Sequence, residues 1–142
     1  MSQFNKIGPL YAEALAQMHK LCFDKAWNKA AFESLLRLPT SCGFLSENAF
    51  ILFSVCGDQA EILTLGVLPK ARKKGIAFEL LTYAENELKK TGVQEIFLDV
   101  NQNNLPARKL YEKADFQQIS VRKAYYDEDG KKADALVLKK ML

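Results

Sequence analysis

A strand, a basic glycine turn and a helix follow one another between residues 61 and 88, and this order limits the fold more than any other part of the chain. Residues 61–67 are apolar on both faces, which is typical of a central strand covered on both sides. After Pro69 apolar residues recur three and four positions apart, as in a helix, until Thr91 and Gly92 end the pattern. The segment predicts a mixed α/β fold.

The rest of the chain alternates between helical and extended patterns. Two helices are predicted first, over residues 9–23 and after Asn28, whose side chain suits a helix N-cap. The later elements are strands at 43–45, 49–55 and 96–100, a short helix at 105–114 capped by Asn104, and closing strands at 116–121 and 135–138 joined by the turn 127–130. We expect one mixed, mostly antiparallel sheet with helices on both faces, in a single domain spanning residues 1–142.

Composition and charge exclude several classes of protein. The chain has 142 residues, of which 49% are hydrophobic and 26% charged, with a net charge of +3, as expected for one globular domain. No apolar run approaches the roughly 20 residues of a membrane helix. Residues 1–6 lack the basic-then-apolar pattern of a secretory signal. We therefore expect a cytoplasmic protein that does not associate with a membrane.

The cysteines and the single histidine leave little room for metal or thiol chemistry. Cys22, Cys42 and Cys56 are widely spaced, form no CxxC pair and are odd in number, so we expect neither a disulfide framework nor a metal site. We interpret them as small buried apolar residues. His19 lies in the first predicted helix, where a hydrogen-bonded or exposed histidine is expected. Proton transfer would then use carboxylates, tyrosine, lysine or cysteine.

The turn at residues 72–77, Arg-Lys-Lys-Gly-Ile-Ala, is a candidate binding site for a diphosphate. The first turn of a helix has unpaired N–H groups and a partial positive charge, which suit such an anion. Gly75 would let the backbone approach the ligand closely, and Ala77, two residues later, has only a small side chain. A nucleotide P-loop and a Rossmann fingerprint are both absent. The alternative is a solvated basic turn whose glycine only starts the helix.

Asp99 lies inside the strand predicted at residues 96–100, on the same face as Phe97. Both faces of this strand are apolar, so we expect Asp99 to be covered. Burying a carboxylate is costly unless it has a partner, and such positions are candidates for function. The alternative is a strand-end aspartate that reaches solvent or caps the bend at residues 101–104.

Asn104 and Tyr111 are seven residues apart, close to two helical turns, and are expected to share a helix face that lines one wall of a cleft. A tyrosine, with an ordinary pKa of about 10, can protonate a departing thiolate. The alternative for a lone tyrosine of this kind is a place at the edge of the core.

These segments together resemble the GNAT superfamily of N-acetyltransferases over nearly the whole chain, most strongly at residues 61–126. The basic turn fits the signature [RQ]-x-x-G-x-[GA] through Arg72, Gly75 and Ala77. Within the superfamily the chain is similar to the bacterial ribosomal-protein-alanine N-acetyltransferases in the segments EILTLGV, FLDVNQNN, ARKLYEKADF, RKAYY and CFDKAWNKAAF.

The resemblance implies an acyltransferase that moves an acetyl group from acetyl-coenzyme A to a primary amine, the N-terminal alanine α-amine of a small-subunit ribosomal protein. It also implies that the sheet splays apart at the cofactor cleft. The residues implied to bind the cofactor are Leu65, Gly66, Val67, Arg72, Lys73, Lys74, Gly75, Ile76, Ala77, Phe78 and Asn104.

The resemblance also implies catalytic roles. Tyr111 would be the general acid for the coenzyme A thiolate, and Asp99 stands where the family has a glutamate as general base. Asp99 is one methylene shorter, which leaves open whether it acts directly, through a water or not at all. Glu61, at the edge of its strand, is a fallback base or a surface residue.

Three aromatic residues are implied to lie in the acceptor cleft, namely Trp27, Tyr125 and Tyr126. The alternative is that Trp27 packs in the core and the two tyrosines anchor their loop.

Three other functions stay open. The first alternative is an acetyltransferase for a small-molecule amine or another protein N-terminus. The second is a non-catalytic acetyl-coenzyme A-binding regulatory module, and the third is a nucleic-acid-binding protein that uses the basic turn. The basic cluster is short and has no interleaved aromatic residues, so we expect no direct contact with nucleic acid. We expect a monomer without a bound metal.

Overall fold

A seven-stranded sheet is the centre of the computed structural model, which describes residues 4–142. The strands lie in the order β1-β2-β3-β4-β5-β7-β6, and β4 with β5 is the parallel pair in an otherwise antiparallel sheet. The predicted mixed, mostly antiparallel sheet is confirmed. The strands are β1 Asn5–Lys6, β2 Ser41–Leu45, β3 Ala49–Cys56, β4 Gln59–Val67, β5 Glu95–Asn101, β6 Gln117–Glu128 and β7 Lys131–Met141.

Four helices cover the two faces of the sheet, as predicted. Helices α1 and α2 pack on β2, β3 and β4 from one side, while α3 and α4 contribute to the apolar core on the other side. Within residues 4–142 no helix is long and apolar enough to cross a membrane. The helices are α1 Ala12–Cys22, α2 Lys29–Leu36, α3 Ile76–Lys90 and α4 Leu105–Lys113.

Side-chain caps fix where two of the helices begin. The side chain of Asn28 accepts a hydrogen bond from Ala31 N–H at 2.8 Å, and that of Asn104 accepts one from Ala107 N–H at 3.3 Å. Each bond satisfies a donor that the first turn leaves free, so both predicted caps are confirmed. The predicted first helix differs at its start, because Pro9–Tyr11 forms a 3₁₀ turn before α1.

The two parallel strands β4 and β5 pair only at Gln59–Glu61 and Glu95–Phe97 and then separate. The cause lies in β4, where Thr64 pairs with Leu52 but Ile62 pairs with Phe53, so that Leu63 is an extra residue. Such a bulge bends its strand and increases the local twist. The predicted splay of the sheet is therefore present, and it begins next to the last β4–β5 pair.

His19 joins α1 to β4 through both of its ring nitrogens. Trp27 N–H donates to Nδ1 at 3.0 Å, so the proton of the neutral ring is on Nε2, which lies 3.1 Å from the Thr64 hydroxyl. The ring is 3% exposed and is packed among aromatic side chains, including Phe32 and Phe50. The expectation of a hydrogen-bonded histidine is confirmed, and burial lowers its pKa.

The cysteines depart from prediction at one position. Cys22 and Cys42 are half-buried, whereas Cys56 is exposed at the end of β3. The prediction of a buried residue is wrong for Cys56, because the covered part of β3 ends before it.

We expect acid to destabilise the protein through His19. Its pKa in the folded state lies below the unfolded value of about 6.5, so the unfolded chain binds more protons as the pH falls through that value. The free energy of unfolding therefore decreases below about pH 6.5. Urea denaturation at pH 7.5 and pH 5.5 should show a larger loss for the wild type than for His19→Gln, which cannot titrate. Equal losses in the two proteins would contradict this.

Candidate active site

The turn that precedes α3 presents a row of free backbone donors. Gly75, the N-cap, has φ +78° and Lys73 has φ +64°, so two residues of the turn are left-handed. The N–H groups of residues 73–78 have no hydrogen-bond acceptor among residues 4–142, and Glu79 is the first to bond back, to Gly75 O at 3.1 Å. Free N–H groups at a helix N-terminus suit a diphosphate.

The cations of this turn differ in what they contact. Lys73 and Lys74 are exposed and form no ion pair within the described residues. Arg72 instead donates from Nε to Val67 O at 2.9 Å, which ties the turn back to β4. Lys113 of α4 lies 4.4 Å from the centre of the Phe78 ring and adds a positive charge beside the start of α3.

The strand edge that faces the gap is formed by β4 after its bulge. Past Glu61 this edge has no partner in β5, so its backbone groups can accept an added strand. Leu65 and Val67 pack towards the α3 side, while Gly66 faces Phe50. A Cβ at position 66 would lie 2.5 Å from Phe50 Cζ, so a glycine is required there for packing.

The apolar pattern predicted that β5 is covered on both faces. Asp99 instead lies on a face of β5 that is open. Ile96, Leu98 and Val100 are buried against the α3 side, whereas Phe97 and Asp99 are half-exposed. The prediction that both faces of the strand are covered is wrong, because α1 and α2 pack on β2, β3 and β4 and leave β5 and β7 open there. The Asp99 side chain itself is only 20% exposed, with Arg122 beside it.

A cleft of about 280 Å³ opens in front of Asp99. Its partner there is Arg122 of β6, whose Nε lies 3.5 Å from Asp99 Oδ1. Glu61, the fallback base, lines the same cleft and has no ion pair within the described residues. Phe97 and Val137 add apolar surface. The cleft therefore combines two carboxylates and one guanidinium beside the place where β4 and β5 part.

Tyr111 has a buried ring and a hydroxyl that still reaches solvent. The residue is 6% exposed and its ring packs on Phe116 with centroids 5.5 Å apart. The hydroxyl has no hydrogen-bond partner in the described chain, yet it is not sealed from solvent. Burial raises the pKa of Tyr111, and the neighbouring Tyr126 adds to that shift. The phenol is therefore protonated at neutral pH, as a proton donor must be.

Asn104 occupies a different environment from Tyr111, although a shared helix face was predicted. It precedes α4 as the cap and is exposed, and its Oδ1 is used by Ala107 N–H. Its NH₂ group remains the part of the side chain that is free for a ligand.

Two of the three predicted acceptor residues pack together next to Arg122, the partner of Asp99. Tyr126 is half-buried, and its pKa is raised by burial and then by the charge of Asp99. The Tyr125 ring lies 5.1 Å from that of Tyr126 and 5.5 Å from the Arg122 guanidinium. Trp27 instead stacks on His19 at 4.9 Å and packs beside Phe32, as in the core alternative.

Comparison with known proteins identifies the family. Residues 12–116 match the acetyltransferase (GNAT) family. The chain belongs to this family. Its fold is similar to the crystal structure of the ribosomal-protein-S18-alanine N-acetyltransferase from Escherichia coli, with a TM-score of 0.89 and 23% identity over 99% of this chain and 94% of that chain. It is also similar to Arabidopsis thaliana NAA60 in complex with acetyl-CoA, with a TM-score of 0.83 and 20% identity over 98% and 97% of the two chains.

Curated relatives are similar in sequence as well. The [Ribosomal protein bS18]-alanine N-acetyltransferase of Haemophilus ducreyi is 34% identical over 67% of this chain and 68% of its own length. The protein of the same name from Escherichia coli strain K12 is 31% identical over 63% of this chain and 61% of its own length. The resemblance to the GNAT superfamily and to this group of its members is confirmed.

Arg122 and Lys113 were given no role by sequence reasoning. Both lie in segments that carry the family resemblance, RKAYY and ARKLYEKADF, but an exposed basic residue has no pattern that marks it. Their contacts with Asp99 and Phe78 join residues far apart in the chain, so only the fold reveals them.

We expect Gly75→Val to weaken coenzyme A binding by at least about tenfold, because a β-branched residue is strained at φ +78° and the free amides would turn away. Isothermal titration calorimetry with coenzyme A measures the effect. Gly92→Val is the matched control, since Gly92 has φ +99° at the other end of α3. Equal affinity losses in the two variants would show that strain alone, and not the amides, is responsible.

Proposed function

We propose that this chain transfers an acetyl group from acetyl-coenzyme A to the N-terminal α-amine of a small-subunit ribosomal protein that begins with alanine. The observation that carries the proposal is the early end of the β4–β5 pairing, which leaves the β4 edge free in a chain that also has free amides at the Gly75 turn and a cleft at Asp99. Membership of the GNAT family supports the reaction type, and the names of the curated relatives support the acceptor.

The cofactor half of the site uses backbone groups. The N–H groups of residues 73–78 would hold the diphosphate, with Lys73 and Lys74 adding charge. The free edge of β4 at Leu65, Gly66 and Val67 would hydrogen-bond the pantetheine arm, and the NH₂ of Asn104 would contact the cofactor. Acetyl-coenzyme A supplies the activated acetyl group as a thioester.

The acceptor half of the site uses Asp99. An α-amine has a pKa of about 7.7–8.0, so a useful share is neutral near pH 7 and the base removes a proton only as the amine attacks. Asp99 would accept that proton, directly or through a water, while Arg122 holds its carboxylate in the cleft. Tyr125 and Tyr126 would form the wall against which the peptide lies.

Tyr111 would protonate the departing sulfur. Its raised pKa means that the proton leaves only as negative charge builds on the thiolate. Backbone N–H donors near Val67 would stabilise the negative charge on the acetyl oxygen. Much of the rate enhancement would come from holding the amine and the thioester together, which is consistent with two binding surfaces that meet at one gap.

Thiol release from acetyl-coenzyme A in the presence of a synthetic alanine-initiated ribosomal hexapeptide tests the proposal. We expect kcat/KM for the hexapeptide to exceed that for polyamines and free amino acids by at least about a hundredfold, because the peptide fills the cleft as well as the amine position. The same peptide with a blocked α-amine is the control. Faster release with a small amine would favour the small-molecule alternative. Calorimetric binding of acetyl-coenzyme A without release by any amine would favour a regulatory module.

We expect Tyr111→Phe to lower kcat by about a hundredfold while the Kd for acetyl-coenzyme A stays within about twofold, because only proton donation is lost. Asp99→Asn should lower kcat to a similar extent, and Asp99→Glu should keep activity since it restores the family's base. Tyr83→Phe is the control, as Tyr83 lies on α3 and bonds Glu87. Unchanged turnover in Tyr111→Phe or Asp99→Asn would remove that residue from the mechanism.

A further inference from the structure

Strand β6 contains a bulge of two residues beside the cleft. Arg122 pairs with Ala135 and Tyr126 pairs with Ala133, so the pairing advances four positions along β6 and two along β7. Within the bulge Ala124 has φ +50°, a left-handed conformation that a non-glycine residue adopts at a cost. Bulges of this kind re-aim side chains next to active sites.

The bulge moves Tyr126 towards Asp99 without changing its face. In a regular hairpin Ala124 would pair with Ala133, and Tyr126 would pair with Lys131. Tyr126 would then lie two residues, or about 7 Å, farther from Asp99 along the strand. Because side chains alternate with a period of two, an insertion of two residues keeps Tyr126 on the face that carries Asp99. The insertion therefore places Tyr126 two residues nearer to the level of Asp99 than a regular hairpin would.

The carboxylate of Asp134 on β7 holds this bulge in place. One oxygen accepts a hydrogen bond from Ala124 N–H at 2.9 Å, and the other accepts one from Lys123 Nζ at 3.2 Å. These contacts, with the Ala124 amide first, lower the pKa of Asp134, so the group is a carboxylate at neutral pH. Its backbone oxygen accepts from Gln102 N–H at 3.0 Å, which links it to the loop that follows β5.

The bulge places a tyrosine beside the ion-pair partner of Asp99. Arg122 lies in regular register just before the bulge, and its Nε is 3.5 Å from Asp99 Oδ1. The ring of Tyr125, which lies within the bulge, is 5.5 Å from the Arg122 guanidinium and 5.1 Å from the Tyr126 ring. The packing of these two tyrosines beside the Asp99–Arg122 pair therefore depends on the irregular backbone of residues 123–125.

We propose that Asp134 is a positioning residue for acetyl transfer, because its carboxylate holds the bulge that places Tyr125 against Arg122, the partner of Asp99, and shifts Tyr126 towards Asp99 along the sheet. Asp134 acts through the backbone N–H of Ala124, and its ion pair with the exposed Lys123 is secondary. The inference rests on the proposed acetyl transfer. It says that Asp134, on the neighbouring strand β7, maintains the arrangement of side chains on the acceptor side of the site.

Steady-state kinetics of Asp134→Ala, Asp134→Asn and Lys123→Ala test this role with acetyl-coenzyme A and the alanine-initiated hexapeptide. We expect Asp134→Ala to lower kcat/KM for the peptide by about tenfold, with the KM for acetyl-coenzyme A within about twofold of the wild type. Asp134→Asn keeps an oxygen that accepts from Ala124 N–H, and Lys123→Ala removes only the ion pair. Both should therefore stay within about threefold of the wild type.

Several outcomes would overturn the inference. Wild-type kcat/KM in Asp134→Ala would do so, as would an equal loss in Lys123→Ala or an equal rise in the KM for acetyl-coenzyme A. If Asp134→Ala does not fold, the same comparison is made in an Ala124→Gly background, since glycine adopts positive φ without strain. A kcat/KM there equal to that of Ala124→Gly alone would again overturn it.

Amide hydrogen exchange separates this inference from the proposed function, because it does not depend on turnover. We expect Asp134→Ala to speed exchange at Ala124 by at least about tenfold relative to core amides of β5, and unchanged protection would overturn the role of Asp134. A wild-type protein that acetylates no amine would contradict both the proposed function and the positioning role. An active wild type with a fully active Asp134→Ala would end the positioning role alone.

Discussion

Backbone pairing between β4 and β5 ends after three residue pairs, and the candidate site depends on that early end. A regular sheet would continue the ladder and leave no free edge, since unpaired N–H and C=O groups inside a sheet are costly. The extra residue Leu63 turns β4 away just past Glu61, and the gap then has a polar edge that a ligand can pair with. Asp99 lies on β5 just past the last β4–β5 pair, where the two strands have parted. One added residue thus frees the edge of β4 on which the proposed cofactor site relies.

Much of this arrangement is predictable from the sequence because local patterns determine it. The caps Asn28 and Asn104 act on their own first turns, and the glycine turn before α3 needs only nearby residues. Periodicity likewise predicts β4, β5 and α3, because each buries a regular apolar face. Family resemblance adds Asp99 and Tyr111 as candidates, and the structure places Asp99 in the cleft beside the β4–β5 pair and Tyr111 in the core against Phe116.

Features that depend on distant partners were not predictable. Both faces of β5 were expected to be covered, yet the placement of α1 and α2 leaves the Asp99 face open, and no local pattern encodes which strands a helix covers. Strands β6 and β7 extend beyond the predicted residues 116–121 and 135–138, because β6 is an exposed edge strand without an apolar alternation. Its bulge is held by Asp134, a residue ten positions from Ala124 with no motif of its own.

The contact between Gly66 and Phe50 limits how the sequence can change. The Phe50 ring is 0% exposed and occupies the volume that a side chain at position 66 would need. A methyl group introduced at 66 cannot be relieved by backbone movement without disturbing the β3–β4 pair Phe50↔Gly66. Positions 50 and 66 therefore share one volume, and we expect a side chain at position 66 to be tolerated only together with a smaller residue at position 50.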